Sequence, residues 1–139
     1  MRIEVFHGLP QQAAEIRQKV FVEEQGFQNE FDDIDLAAVH FVLFDDSDIP
    51  IGTCRVFKDD EKKSYILGRL AVVKEKRGEN VGSLIVKKAE EFVKEIGENQ
   101  IQLHAQCRIT AFYGKLGYTS FGEIEDDEGC PHIWMKKML

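Results

Sequence analysis

The spacing of apolar and polar positions changes several times along the chain, and each change marks an element. Ile3 and Val5 alternate with polar neighbours over residues 2–7 and predict a strand. Gly8-Leu9-Pro10 breaks that pattern, and Pro10 suits the first turn of a helix in which Ala13, Ile16 and Val20 recur at helical spacing. Gly26 is placed to end it in the left-handed conformation. Residues 27–38 are polar, acidic and aperiodic, a loop or a short irregular helix. Strands follow at 39–45, 51–58 and 65–73, separated by the turn-rich 46–50 and 59–63, and read as an antiparallel meander.

The clearest helical period runs from 81 to 96, with Ile85, Ala89, Phe92 and Ile96 on one stripe and Gly97 after the last turn. Ile101, Leu103 and Ala105 alternate with Gln102, His104 and Gln106 as a further strand, followed by a short helix over 109–116 that Gly117 can cap. Strands at 118–123 and 133–138 complete the order β-α-βββ-α-β-α-ββ. This is an α+β arrangement, a mixed and largely antiparallel sheet flanked by helices. The helical connection 81–97 can join neighbouring parallel strands, and a ligand can enter where such strands part.

A length of 139 residues allows one domain, 1–139, with a hydrophobic core. The apolar fraction of 43% and the lack of a long apolar run indicate a soluble protein without a membrane partner. The strand-like N-terminus does not resemble a signal peptide, and Cys54, Cys107 and Cys130 are odd in number and widely spaced. Together they predict free thiols and a cytoplasmic location, with no zinc cluster or other metal site. A net charge of −7 disfavours nucleic acid, whose backbone demands a basic surface. The excess acid lies in 30–35 and 123–128, both expected to be solvated surface.

The sharpest local feature is the passage 72–83, because it joins a strand directly to the N-terminus of the amphipathic helix. First-turn amides without partners, and the positive end of the helix dipole, favour an anion there. Glycines permit close approach of the backbone, and Lys76 and Arg77 add charge. Neither a Walker pattern nor GxGxxG is present.

Arg77-Gly78-Glu79-Asn80-Val81-Gly82 resembles the Q/R-x-x-G-x-G/A signature of GNAT acyltransferases, whose backbone amides hold the pyrophosphate of coenzyme A. Asn80 stands where the pattern has its middle glycine, and asparagine is the residue that best tolerates left-handed backbone after glycine. The likeness extends through RQKVFVEEQ at 17–25, EFDDID at 30–35, GRLAV at 68–72, HAQ at 104–106, FYGKLGY at 112–118 and PHIWM at 131–135. It is closest to the ElaA-like branch of that family. The resemblance implies acetyl-CoA as co-substrate and an amine as acceptor, with a monomer and a homodimer both compatible. It places the cofactor against Leu70, Ala71, Val72, Arg77, Gly78, Glu79, Asn80, Val81, Gly82, Ser83, Gln106 and Tyr113.

Acyl transfer to an amine requires a neutral nitrogen, a stabilised oxyanion and a proton for the departing thiolate. Keeping a lysine-like amine neutral at pH 7 costs about 4.6 kcal/mol, an α-amine only about 1.4. By resemblance Tyr113 protonates the sulfur, and backbone groups of residues 70–72 hold the pantetheine arm like an added strand. Strand parity puts Ile66, Gly68 and Leu70 on one face, with Gly68 leaving room for the acceptor. Arg69 then points the other way unless a bulge intervenes, and either an acid of 30–35 or an anionic substrate group is its expected partner. Glu24, His104 and His40 are the candidate bases, a bound water being an alternative; His7 and His132 have less to recommend them. Cys107 reads as a structural thiol. The alternative to an N-acetyltransferase is a non-catalytic acyl-CoA-binding or sensing module, and more remotely an acidic interaction domain.

Overall fold

The computed structural model describes residues 1–139. Its strands are β1 (Arg2–His7), β2 (Val39–Phe44), β3 (Pro50–Asp59), β4 (Ser64–Val72), β5 (Gln100–Gln106), β6 (Thr119–Asp127) and β7 (Cys130–Met138). Its helices are α1 (Gln11–Arg17), α2 (Ile34–Ala37), α3 (Val81–Glu95) and α4 (Thr110–Lys115). The strands form one sheet in the order β1-β2-β3-β4-β5-β7-β6. All neighbours are antiparallel except β4 and β5, which the α3 connection makes parallel. No helix is long and apolar enough to cross a membrane.

Each sheet face is covered by its own helix. On one, Val81, Ile85, Ala89 and Val93 of α3 pack against Phe41, Leu43, Val56, Leu67 and Leu103 in the larger core cluster. The helix approaches closely because Gly52 carries no side chain; a Cβ there would come within 2.5 Å of Ile85 Cδ1. Truncating the fully buried Ile85 to alanine would cost about 2–5 kcal/mol. The expected stripe is rotated in one respect, since Ile96 caps the helix and is exposed while Val81 and Val93 are buried. On the opposite face Ala13, Ile16, Val20 and Phe21 meet Val42, Phe44 and Ala71.

The first helix is not uniform. Beyond Arg17 it widens into a π-helical segment, Gln18–Glu24, with Gln25 N donating to Val20 O, five residues back, at 3.1 Å. Gly26 then takes a φ of 80°, the left-handed stop expected of it.

The acidic stretch 30–35 is the main departure from expectation, for of its four acids only Asp32 and Asp33 are exposed. Glu30 and Asp35 are buried, as are Arg17 and Arg55. Arg17 Nε donates to Glu30 Oε2 at 2.8 Å, and its Nη1 and Nη2 donate to the two carboxylate oxygens of Asp35 at 2.8 and 3.1 Å. Arg55 Nη1 bridges Asp35 at 2.7 Å and Asp32 at 2.6 Å. Every buried acid thus faces a guanidinium, the condition under which burial of charge is tolerated. Burial pushes the Asp35 carboxyl upward, but the bonds from Arg17, the Asp32 amide and Arg55 prevail and hold it at about 2. Glu30 goes the other way, raised by burial despite Arg69 and Arg17. The second acidic run, 123–128, is exposed as expected, although β6 continues through it to Asp127.

Candidate active site

β4 and β5 pair over only three residues, Tyr65 with Ile101, Ile66 with Gln102 and Leu67 with Leu103. Beyond that point they part, and the β5-facing backbone of residues 68–72 has no strand partner. A bulge at Arg69, whose φ is 54°, accompanies the parting, with the β3 register shifting between Thr53 and Arg55. The extra residue resets side-chain parity. Leu70 joins Leu67 against the α3 cluster while Ala71 joins the α1 cluster, so Ile66 and Leu70 do not share the face that simple alternation predicts. Arg69 turns to the acids, with Nε 3.0 Å from Glu30 Oε2 and Nη2 donating to Glu30 O at 3.0 Å.

Two cavities adjoin where the strands part, with Leu70 and Ile109 lining both. The first, a groove of about 580 Å³, gathers Leu70, Ala71, Val72, Arg77, Gly78, Asn80, Val81, Gly82 and Ser83 from the expected cofactor residues. Glu79 lies outside this lining, while Gln106 and Tyr113 belong to the other cavity. Gly78 and Asn80 have positive φ, 83° and 67°, so asparagine makes the left-handed turn that launches α3. Gly82 backs onto Phe112, whose Cζ would be 3.2 Å from an added Cβ. Lys76 and Arg77 stand at the groove as expected; Arg108, which the sequence did not single out, joins them.

The second cavity, a chamber of about 330 Å³, is lined by Gly68, His104, Gln106 and Tyr113 together with Phe57, His132 and Trp134. An added Cβ at Gly68 would meet nothing within 4 Å, so the space beside it is open. Of the two tyrosines in FYGKLGY, Tyr118 is committed, its hydroxyl donating to Glu90 Oε2 at 2.7 Å. Tyr113 is the one that lines the chamber, and burial raises its pKa and keeps it neutral.

The candidate bases separate. Glu24 lines the groove and accepts from Arg77 Nη1 and Nη2 at 2.6 and 2.8 Å, bonds that lower its pKa. It is not brought to Tyr113. His40 is fully buried, its Nε2 3.0 Å from Asp35 O, and lines neither cavity.

His104 lines the same chamber as Tyr113. Its ring stacks on Trp134 with centroids 4.7 Å apart and lies 4.9 Å from the His132 ring. Burial, then the neighbouring His132, lowers its pKa, leaving it neutral at pH 7. Glu125 Oε1 is 3.3 Å from His104 Nε2 but out of hydrogen-bond alignment, and accepts instead from Trp134 Nε1 at 3.2 Å. His132 ranked low in the sequence, yet it is buried in the chamber with Nδ1 bonded to Cys130 O at 2.8 Å. The alternation PHIWM, which sends His132 and Trp134 to one face of β7, was the signal that could have found it.

Comparison with known proteins agrees with this geometry. Residues 8–139 match the acetyltransferase (GNAT) domain family. A Bacillus subtilis (strain 168) protein named provisionally as an acetyltransferase is 37% identical over 129 residues, 90% of this chain and 86% of its own. The crystal structure of Escherichia coli ElaA superposes with a TM-score of 0.86 at 26% identity, covering 98% of both chains. An aminoglycoside 6'-N-acetyltransferase complexed with coenzyme A shares the fold at a TM-score of 0.77 and 18% identity, over 99% of this chain and 97% of that one. The parted strands, the left-handed turn into α3 and these matches lead to one conclusion: the chain belongs to the GNAT acetyltransferase family.

Proposed function

We propose that this protein is an acetyl-CoA-dependent N-acetyltransferase that moves the acetyl group directly to a primary amine, on a small molecule or a lysine-like side chain. The observation that carries this reading is the meeting of two cavities where β4 and β5 part. A diphosphate fits the first turn of α3, where Val81, Gly82 and Ser83 have amides without intrahelical partners and Lys76, Arg77 and Arg108 supply positive charge. The pantetheine arm fits along residues 70–72, taking up backbone groups that β5 leaves free. The thioester then falls at Gly68, between groove and chamber. A chamber of about 330 Å³ must hold acyl group and acceptor together, which favours acetyl over long chains.

In the reaction, the amine nitrogen attacks the thioester carbonyl carbon, and the C–N bond forms as the C–S bond breaks. His104, neutral and facing the chamber, accepts the proton that the nitrogen sheds. Tyr113 donates its hydroxyl hydrogen to the departing sulfur and regains one from the imidazolium. The three unbridged cysteines favour a reducing, cytoplasmic setting.

The test is a panel of primary amines with acetyl-CoA, read as free thiol, beside thermal unfolding with coenzyme A. Binding at about 100 times the dissociation constant stabilises the fold by about 2.7 kcal/mol. Thiol release that depends on the amine supports the reading. Stabilisation without thiol release favours an acyl-CoA sensor, and no stabilisation by saturating coenzyme A overturns both.

A further inference from the structure

The turn between β3 and β4 carries a lysine onto Trp134, one of the residues that line the chamber. Asp59 Oδ1 accepts from the backbone N–H groups of Glu61 and Lys62, each at 3.0 Å, and Lys63 follows with a φ of 52°. From this fixed turn the Lys62 ammonium reaches Trp134, its Nζ 3.9 Å from the ring centroid. Trp134 in turn stacks on His104 at 4.7 Å, so the ammonium lies no farther from the His104 ring than the sum of 3.9 and 4.7 Å. Trp134 and His104 both line the chamber with Gly68.

Lys62 differs from lysines elsewhere on the protein. Lys58 and Lys137 are each 2.9 Å from a carboxylate oxygen, of Glu98 and Glu90. Lys62 is half-buried against an aromatic face instead, a contact that leaves its nitrogen free of a carboxylate acceptor.

We propose that Lys62 is itself an acceptor, and that the protein acetylates Lys62 Nζ within its own chain. The inference rests on the acyltransferase reading above. The Lys62 side chain swings off Trp134 and its ammonium loses one proton to water, and the neutral nitrogen attacks the acetyl carbonyl at Gly68. The C–N bond forms, the C–S bond breaks, the nitrogen sheds its second proton to His104, and coenzyme A leaves as the thiol with the proton from Tyr113, which regains one from the His104 imidazolium. At pH 7 roughly one lysine amine in a few thousand is neutral, so the transfer is slow, but the tether makes it a first-order process within each chain. Acetylation removes the charge from Trp134 and releases its face to an incoming acceptor.

The purified protein is incubated with acetyl-CoA carrying a deuterated acetyl group, and peptides are mapped by mass spectrometry. Deuterated acetyl is expected on Lys62 at least about tenfold ahead of every other lysine, at a first-order rate independent of protein concentration. The Lys62 rate falls by about tenfold or more in His104→Gln and in Tyr113→Phe. Even labelling of many lysines that His104→Gln leaves unchanged is chemical acetylation and overturns the proposal, as does a rate that rises with protein concentration. No label on Lys62 in protein that releases thiol with an added amine overturns it while the acyltransferase reading stands. No label and no thiol release sink both.

Discussion

Glu24 grips Arg77 through both terminal guanidinium nitrogens, at 2.6 and 2.8 Å, beside the first turn of α3. The pair joins the end of the π-helical segment to the turn that enters α3, and Arg77 Nε also donates to Val72 O at 3.0 Å. An incoming diphosphate competes with Glu24 for that guanidinium. Glu24→Gln is therefore expected to raise coenzyme A affinity by about threefold to tenfold at low salt, an advantage that shrinks as salt screens it. Turnover should stay within about threefold of wild type. Calorimetry and initial rates check both, and a drop in kcat of about a hundredfold would instead make Glu24 the base.

Tyr113→Phe removes a hydroxyl and leaves the ring that packs against Phe112 and Tyr118. The expected loss is about a hundredfold or more in kcat, with coenzyme A affinity within about twofold. Tyr118→Phe, which breaks the bond to Glu90, should lower stability more than turnover. Paired rate and unfolding measurements on the two variants separate the roles.

How far the sequence could be read follows from the range of the interactions. The α3 helix and its left-handed entry at Asn80 are local, set by apolar spacing and by a residue that tolerates positive φ, so both were legible. Arg17 reads as one more charged helical residue; its burial depends on Glu30 and Asp35, 13 and 18 residues away, which no helical period reveals. The bulge at Arg69 is likewise fixed by the pairing of β4 with β3, and the parity drawn through Ile66, Gly68 and Leu70 failed there. His132 was passed over because β7 begins earlier, at Cys130, than the apolar run beginning at Ile133 indicates.

Gly68→Val places a side chain in open space beside the expected thioester. Acceptor KM should rise by about tenfold or more, while coenzyme A affinity holds and the melting temperature is unchanged or higher, valine being the better strand former. Steady-state kinetics with a responsive amine decide it; an unchanged KM would move the acceptor elsewhere.

Arg17→Met strips a buried cation from Glu30 and Asp35 and is expected to cost about 3–5 kcal/mol in urea unfolding. Acid should weaken the wild type in two stages. The depressed His40 and His104 stabilise the fold above their ordinary value of 6.5, a contribution lost as pH falls through their lower folded values. Asp35, at about 2 against an ordinary 3.8, stabilises above 3.8 and loses its contribution as pH falls toward 2. Glu30, raised above 4.5, opposes this second stage, because its contribution is present below 4.5 and lost as pH rises through its folded value. Urea midpoints across pH trace both stages.

The arginine–carboxylate cluster also sets which side of the chamber is held fast. It bolts residues 30–35 to α1, β3 and β4 from within the core, making that side of the chamber a fixed wall. The facing side closes differently. Glu128, at the β6–β7 turn, accepts from the backbone N–H groups of Gln28 and Asn29 at 2.9 and 3.3 Å, in exposed positions where such bonds are easily exchanged for water. In the proposed reaction, an amine arriving or an amide leaving is expected to travel by the hairpin, the door on the side that is not bolted.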